Sequence, residues 1–128
     1  MRVYYEDTDS AGIVYHASYL RFMERARTEW LRKLGFELPT LTSEHQVLFT
    51  VSRMHIDYLQ PAYFNDLLEV SLDPTRFGGA SFLLDQSVRR APRELLCRAE
   101  VRIACVDSKT LRPRPIPQAV CTELKRDC

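Results

Sequence analysis

Apolar residues in this chain recur in two rhythms. Tyr19, Phe22, Met23, Ala26, Trp30, Leu31 and Leu34 lie three and four apart, with Arg21, Arg25, Glu29 and Arg32 off the stripe. That spacing predicts one long amphipathic helix from about residue 17 to Leu34. Gly35 stands where a C′ glycine belongs, and Ser18, or else His16, is the expected N-cap. Past Val47 the rhythm shortens to two. Met54, Ile56 and Tyr58 alternate with Arg53, His55 and Asp57, and Leu68, Val70 and Leu72 with Glu69, Ser71 and Asp73. Phe82, Leu84 and Val88 alternate with Asp85, Ser87 and Arg89. The longest run sets Leu95, Cys97, Ala99, Val101, Ile103 and Cys105 against Arg98, Glu100 and Arg102. Each run reads as a strand with one buried face.

Punctuation between the runs fits hairpins. Pro61 stops the first of these strands, and Gly78 and Gly79 make a turn between two others. Residues 2–6, with Val3 and Tyr5 on one face, read as a further strand at the start, and residues 35–46 as a connecting loop. Pro117 is placed at N1 of a short closing helix. Five strands and one long helix imply an α+β plan in which an antiparallel sheet wraps around the helix. Such a sheet leaves open edges, so pairing with a second copy is expected.

At 128 residues the chain is read as one domain, 1–128. Eighteen basic residues nearly balance seventeen acidic ones, which argues against a nucleic-acid-binding protein. The balance is uneven, because residues 89–128 carry ten Lys and Arg against five Asp and Glu. That basic end suits an anionic ligand. No apolar run reaches the length of a membrane span and no leader pattern opens the sequence, so a cytoplasmic protein without membrane insertion is expected. Cys97, Cys105, Cys121 and Cys128 have no C-x-x-C spacing and form no zinc pattern with His16, His45 and His55; Cys97 and Cys105 read as core residues. A glycine-rich phosphate loop, a dinucleotide fingerprint and a Ser-His-Asp elbow are all absent, and neither metal nor cofactor is expected.

The chemistry concentrates ahead of the helix, in Asp7-Thr-Asp9-Ser-Ala-Gly12 followed by Ile13, Val14, Tyr15 and His16. A carboxylate there stands beside helix N–H groups and the positive end of the helix dipole, which can stabilise negative charge growing on a carbonyl oxygen. It could attack that carbonyl or activate a water. Turn and capping duty is the plainer role for the same aspartates. An EF-hand loop starting at Asp7 fails at Ala11 and Ser18, where acidic ligands belong. A phosphoryl-transfer Asp-x-Asp would need several βα repeats that do not follow.

The acidic turn, the Gly-Ile-Val-Tyr-His step and the Glu-Arg-Ala-Arg-Thr-Glu helix face together resemble the signature of the 4-hydroxybenzoyl-CoA thioesterase-like hotdog enzymes, most closely the Tol–Pal-associated acyl-CoA thioesterase subgroup. The resemblance implies a hotdog fold and hydrolysis of an acyl-CoA thioester to free acid and coenzyme A, acyl carrier protein being an alternative carrier. It implies Asp9 as nucleophile or general base, and the main-chain N–H of His16 as the group polarising the thioester carbonyl. Gly12 would let substrate pass close, Tyr15 would line the acyl pocket or act as a hydrophobic staple, and Arg112 and Arg114, with Lys109, would meet coenzyme A phosphates. Glu24, Arg25, Arg27 and Glu29 read as a solvated helix face. A homodimer, or a homotetramer built from two dimers, is implied. The alternative is a non-catalytic hotdog protein that binds acyl-CoA or acyl carrier protein, or serves as a scaffold.

Overall fold

The computed structural model describes residues 1–125. Its longest helix, α1 (Ser18–Lys33), buries Tyr19, Phe22, Met23 and Leu31 from the expected stripe. It closes as its glycine predicts. Gly35 takes φ 94°, its amide donates to the Arg32 carbonyl at 3.0 Å, and the Phe36 amide donates to the Leu31 carbonyl at 2.8 Å. Those two bonds are a Schellman closure. The start differs from expectation: Ala17 occupies the cap position and no side chain caps the helix. Ser18 lies within the first turn and is buried, and its hydroxyl donates instead to the carbonyl of Asp7 at 3.2 Å.

Residues 35–46 are not simply a loop. They contain α2 (Leu38–His45), which carries Pro39 in its first turn and ends at Gln46 in the left-handed region at φ 56°. Proline is compatible with a first turn, whose N–H groups have no intrahelical acceptor, so it starts this helix rather than breaking it. Leu41 anchors α2 in the core.

Four strands form one antiparallel sheet: β1 (Val47–Tyr58), β2 (Leu68–Phe77), β3 (Ser81–Arg90) and β4 (Glu94–Asp107), in the order β1-β4-β3-β2. The expected strand at residues 2–6 is not one. Arg2 makes a single bridge with Leu67, and Tyr5–Asp7 curl into a 3₁₀ turn. The Asp7 carboxylate causes the curl by accepting the Tyr4 amide at 2.9 Å. The architecture is therefore four strands and three helices, in place of five strands and one helix. The third helix, α3 (Gln118–Lys125), begins one residue after Pro117, which precedes the helix instead of occupying N1, and it buries Val120 and Leu124.

The inward faces of the strands match their alternation except at the start of β4, where a register shift between Val88 and Arg89 pairs the expected Leu95 with Arg89 and buries Leu96 instead. Phe82 pairs with Ile103, Leu84 with Val101 and Val88 with Cys97, and all six are buried. A bulge between Val51 and Arg53 shifts the register of β1 by one, which keeps Val51 and Met54 on the inward side opposite Ile103 and Val101. The α1 helix packs over β2 and β3, and α2 against β1. Among the described residues, the outer edge of β1 has no neighbouring strand, and Val51, Tyr58 and Leu59 along it are exposed.

Phe82 is 1% exposed and its ring meets those of Trp30, Phe49 and Phe77. Phe82→Ala is expected to cost about 3–5 kcal/mol, read as a lowered urea midpoint with an unchanged slope.

Candidate active site

The two aspartates of the acidic turn have opposite environments. Asp7 is 4% exposed. One carboxylate oxygen accepts the Tyr4 amide, the other lies 3.6 Å from the Arg21 guanidinium, and its carbonyl accepts both the Tyr15 amide at 2.8 Å and the Ser18 hydroxyl. Every polar group of Asp7 is thus used in joining the turn to the start of α1. Asp9 is exposed. Its Oδ1 accepts the Ala11 amide at 2.8 Å, and its Oδ2 has no protein partner among the described residues. An Asx turn of this kind holds the carboxylate in place while leaving one oxygen available.

The main chain sets Asp9 close to the helix start. Its amide donates to the Ile13 carbonyl at 2.9 Å and Thr8 bridges Val14, so the chain folds back in a tight loop that Gly12 completes at φ 83°. The rung formed by Asp9 and Ile13 is two residues from the one formed by Asp7 and Tyr15, roughly 7 Å of strand rise. His16 directly follows Tyr15. Its amide and that of Ala17 have no acceptor among the described residues, and both stand at the positive end of α1. Gly12 also leaves open space, with nothing within 4 Å of where a Cβ would stand.

Around His16 the side chains are aromatic. Its ring lies 4.4 Å from that of Tyr15 and 6.3 Å from that of Tyr58, and its carbonyl accepts the Tyr58 hydroxyl at 2.9 Å. Burial raises the Tyr58 phenol above its ordinary value, so the hydroxyl is a neutral donor at physiological pH. This bond moors the helix start to the last residue of β1, on the open edge of the sheet. Tyr15 is exposed beside His16 and does not line the apolar cleft between α1 and the sheet.

An apolar cleft of about 350 Å³ opens elsewhere, between α1 and the sheet near the first half of β1. Phe49, Val51, Phe82 and Trp30 wall it, and Glu24, Arg27 and Thr28 give it polar spots. Neither Asp9 nor His16 lines it. Arg27 corrects the expectation of a solvated helix face: it stands four residues from Met23 and four from Leu31, both buried, and its guanidinium turns inward to Gln86 at 2.9 Å. Gln86 was also absent from the expected site, although it interrupts the inward run Phe82, Leu84, Val88 with a polar side chain. A polar residue in a core slot was the available signal.

Arg112 and Arg114 lie where β4 ends beside the first residue of β1, away from Asp9 within the chain. Arg114 is partly committed, donating to the Gln46 carbonyl at 3.0 Å and to Asp107 at 3.3 Å. The Arg112 side chain is exposed and makes no bond among the described residues. Cys97 and Cys105 are core residues as expected, and burial pushes the Cys97 thiol up to about 12.

Residues 3–124 match the Thioesterase-like superfamily. The chain belongs to that superfamily. Among its relatives, the acyl-CoA thioester hydrolase YbgC of Escherichia coli O6:H1 is 44% identical over 126 residues, covering 98% of this chain and 93% of the relative. The acyl-CoA thioesterase YbgC of Haemophilus influenzae is 46% identical over 120 residues, 94% and 88% of the two chains. These relatives carry the acyl-CoA thioesterase name that the sequence resemblance implied. The crystal structure of a probable thioesterase from Bartonella henselae superposes with a TM-score of 0.86 at 38% identity, covering 91% of this chain and 95% of that one. A 1,4-dihydroxy-2-naphthoyl-CoA thioesterase from Synechocystis gives a TM-score of 0.89 at 28% identity, covering 98% and 92%. Four strands and three helices are thus a hotdog thioesterase fold.

The division of labour between the aspartates has a direct consequence for stability. Asp7→Asn turns a buried acceptor toward the Arg21 guanidinium into a weaker one and is expected to cost about 1–3 kcal/mol. Asp9→Asn keeps the acceptor for Ala11 and should stay within about 0.5 kcal/mol of the native protein. Paired urea titrations of the two variants check both.

Proposed function

We propose that the protein hydrolyses an acyl-CoA thioester to the free acid and coenzyme A, with Asp9 as the catalytic carboxylate and the His16 amide as the donor to the thioester oxygen. The observation that carries this is an exposed carboxylate with a free Oδ2, set beside unbonded amides at the positive end of a sixteen-residue helix. The acyl-CoA hydrolase relatives at 44–46% identity support the substrate class.

The reaction has two atom-balanced forms at this site. In one, Oδ2 attacks the carbonyl carbon, the C–S bond breaks, coenzyme A leaves as thiolate, and water then cleaves the resulting anhydride. In the other, Oδ2 takes a proton from water as the water oxygen attacks, and the collapsing tetrahedral intermediate expels the thiolate, which is protonated on departure. Both place negative charge on the former carbonyl oxygen. The amide of His16 and the helix dipole stabilise that charge more in the transition state than in the substrate.

The acyl group needs a pocket, Asp9 does not line the apolar cleft of its own chain, and pairing at the open edge of β1 would bring it to that of a second copy. Val51, Met54, Ile56 and Tyr58 share the inward face of that strand; Met54 and Ile56 pack partly against the core and Tyr58 meets Tyr19 of α1, but Val51 and Tyr58 stay exposed. A second copy pairing antiparallel along this edge would bury the apolar face and satisfy the free backbone groups. Full overlap of Val47–Tyr58 with its twin sets Tyr58, and with it His16, next to the partner's Val47. The carboxylate of one subunit would then stand at the mouth of the other's apolar cleft. The same pairing brings the partner's Arg112 and Lys109 beside the site, where cations meet coenzyme A phosphates.

Thiol release from a panel of acyl-CoAs tests the reaction. Turnover of at least one member is expected, with a loss of about a hundredfold or more in Asp9→Asn and a much smaller loss in His16→Ala, which keeps the amide. A protein that binds acyl-CoA without hydrolysing any member would instead be a binding module. For the assembly, sedimentation velocity should find a dimer that Val51→Lys converts to monomer, with activity lost in parallel; an active monomer would overturn the shared site.

A further inference from the structure

Two polar side chains occupy positions where this fold otherwise sets apolar ones. Gln86 is 2% exposed and pairs across the sheet with Ala99, whose small side chain leaves it room. Its amide nitrogen donates to the Met23 carbonyl at 3.0 Å and its Oε1 accepts from Arg27 Nη1 at 2.9 Å. These two bonds orient the amide and hold the guanidinium in one place. Arg27 is half-buried, and desolvation pushes its guanidinium below the ordinary value, partly offset by Glu24. It stays protonated.

A guanidinium has five N–H donors, and among the described residues this one uses a single donor. No carboxylate among the described residues comes within ion-pair distance of it. Arg27 itself lines the cleft whose other walls include Trp30, Phe49, Val51 and Phe82. None of its remaining donors is buried, so water can serve them in the free protein, but a plain apolar ligand filling the cleft would strip that water and replace it with nothing, whereas a ligand oxygen would accept from them. Glu24 lines the same cleft and disfavours a second negative charge there.

We propose that Arg27, held by Gln86, is the specificity-determining residue of the acyl cleft and selects acyl groups that carry an uncharged oxygen, hydroxyl or keto, toward the end remote from the thioester. The proposal rests on the thioesterase reading and on the cleft receiving the acyl group. An oxygen at that end accepts from the free guanidinium donors, whereas a plain alkyl end leaves them desolvated and unpaired.

The test compares kcat/KM for hexanoyl-CoA, 5-oxohexanoyl-CoA, 5-hydroxyhexanoyl-CoA and glutaryl-CoA in the native protein, Arg27→Met and Arg27→Lys. The native protein should favour the two oxygenated substrates over hexanoyl-CoA by about tenfold or more. That ratio should fall toward one in Arg27→Met and be partly kept in Arg27→Lys, with urea titration showing that each variant is folded. Should Arg27→Met not fold, the ratio in Arg27→Lys against native decides. An unchanged ratio in the folded variants, or a native preference for hexanoyl-CoA or for the anionic glutaryl-CoA, overturns the inference while leaving hydrolysis intact. If no substrate is hydrolysed at all, the thioesterase reading fails separately. The same ratios are then read as dissociation constants by calorimetry, and equal affinities for hexanoyl-CoA and its oxo analogue overturn the assignment of Arg27.

Discussion

Asp7 ties the acidic turn to the first turn of α1, and the geometry of the site depends on that tie. Its carboxylate accepts the Tyr4 amide and faces Arg21, while its carbonyl takes the Tyr15 amide and the Ser18 hydroxyl. Four residues meet on one nearly inaccessible side chain and its carbonyl. A buried carboxylate is tolerated only where its oxygens are matched, and here each is. Because these bonds hold the turn from beneath, Asp9 can stay exposed with an oxygen uncommitted, and the His16 and Ala17 amides can stay unbonded at the helix end. Two carboxylates two residues apart have thereby separated into a positioning group and a reactive one.

The sheet distributes the rest. Covering β2 and β3 with α1 completes a core around Phe82, Leu84, Val101 and Ile103, but leaves Val51 and Tyr58 of β1 exposed at the edge. An apolar strand face with unpaired backbone groups is a liability for a lone chain and an asset for a paired one. Tyr58 links the two matters, since its hydroxyl joins the end of that open strand to the carbonyl of His16. The candidate active site and the candidate subunit edge are therefore one region of the molecule. The Gln86 and Arg27 pair is the exception to an otherwise apolar interior on the cleft side. It puts a fixed cation on the wall of a cavity that the rest of the core shapes from Trp30, Phe49 and Phe82.

Much of this was legible along the chain. The three-and-four spacing from Tyr19 to Leu34 and the glycine after it read correctly as a helix with a Schellman end, because both signals are local. The alternation in β2, in β3 and in β4 from Cys97 onward placed the core face correctly for the same reason, whereas at the start of β4 a register shift buries Leu96 in place of the expected Leu95. The errors fell where local signals are weak or are overridden. Residues 2–6 alternate like a strand, yet the Asp7 carboxylate captures the Tyr4 amide and curls them. Pro39 reads as a loop residue but sits where a first helical turn tolerates it. Arg27 carries a charge that suggests solvent, although its spacing from Met23 and Leu31 put it on the inward face.

By itself, then, the sequence determined the long helix, the four strands of the sheet, most of their buried faces and the family, since periodicity and a dense motif are properties of neighbours in the chain. It also marked Asp9 and His16 as the residues to watch. Only the tertiary structure decided that Asp7 is buried and Asp9 exposed, that Ser18 bonds a carbonyl instead of capping the helix, and that Gln86 on β3 holds Arg27 on α1. Those facts depend on contacts between residues up to 63 apart in sequence. No local pattern encodes which of two neighbouring carboxylates the fold will close over.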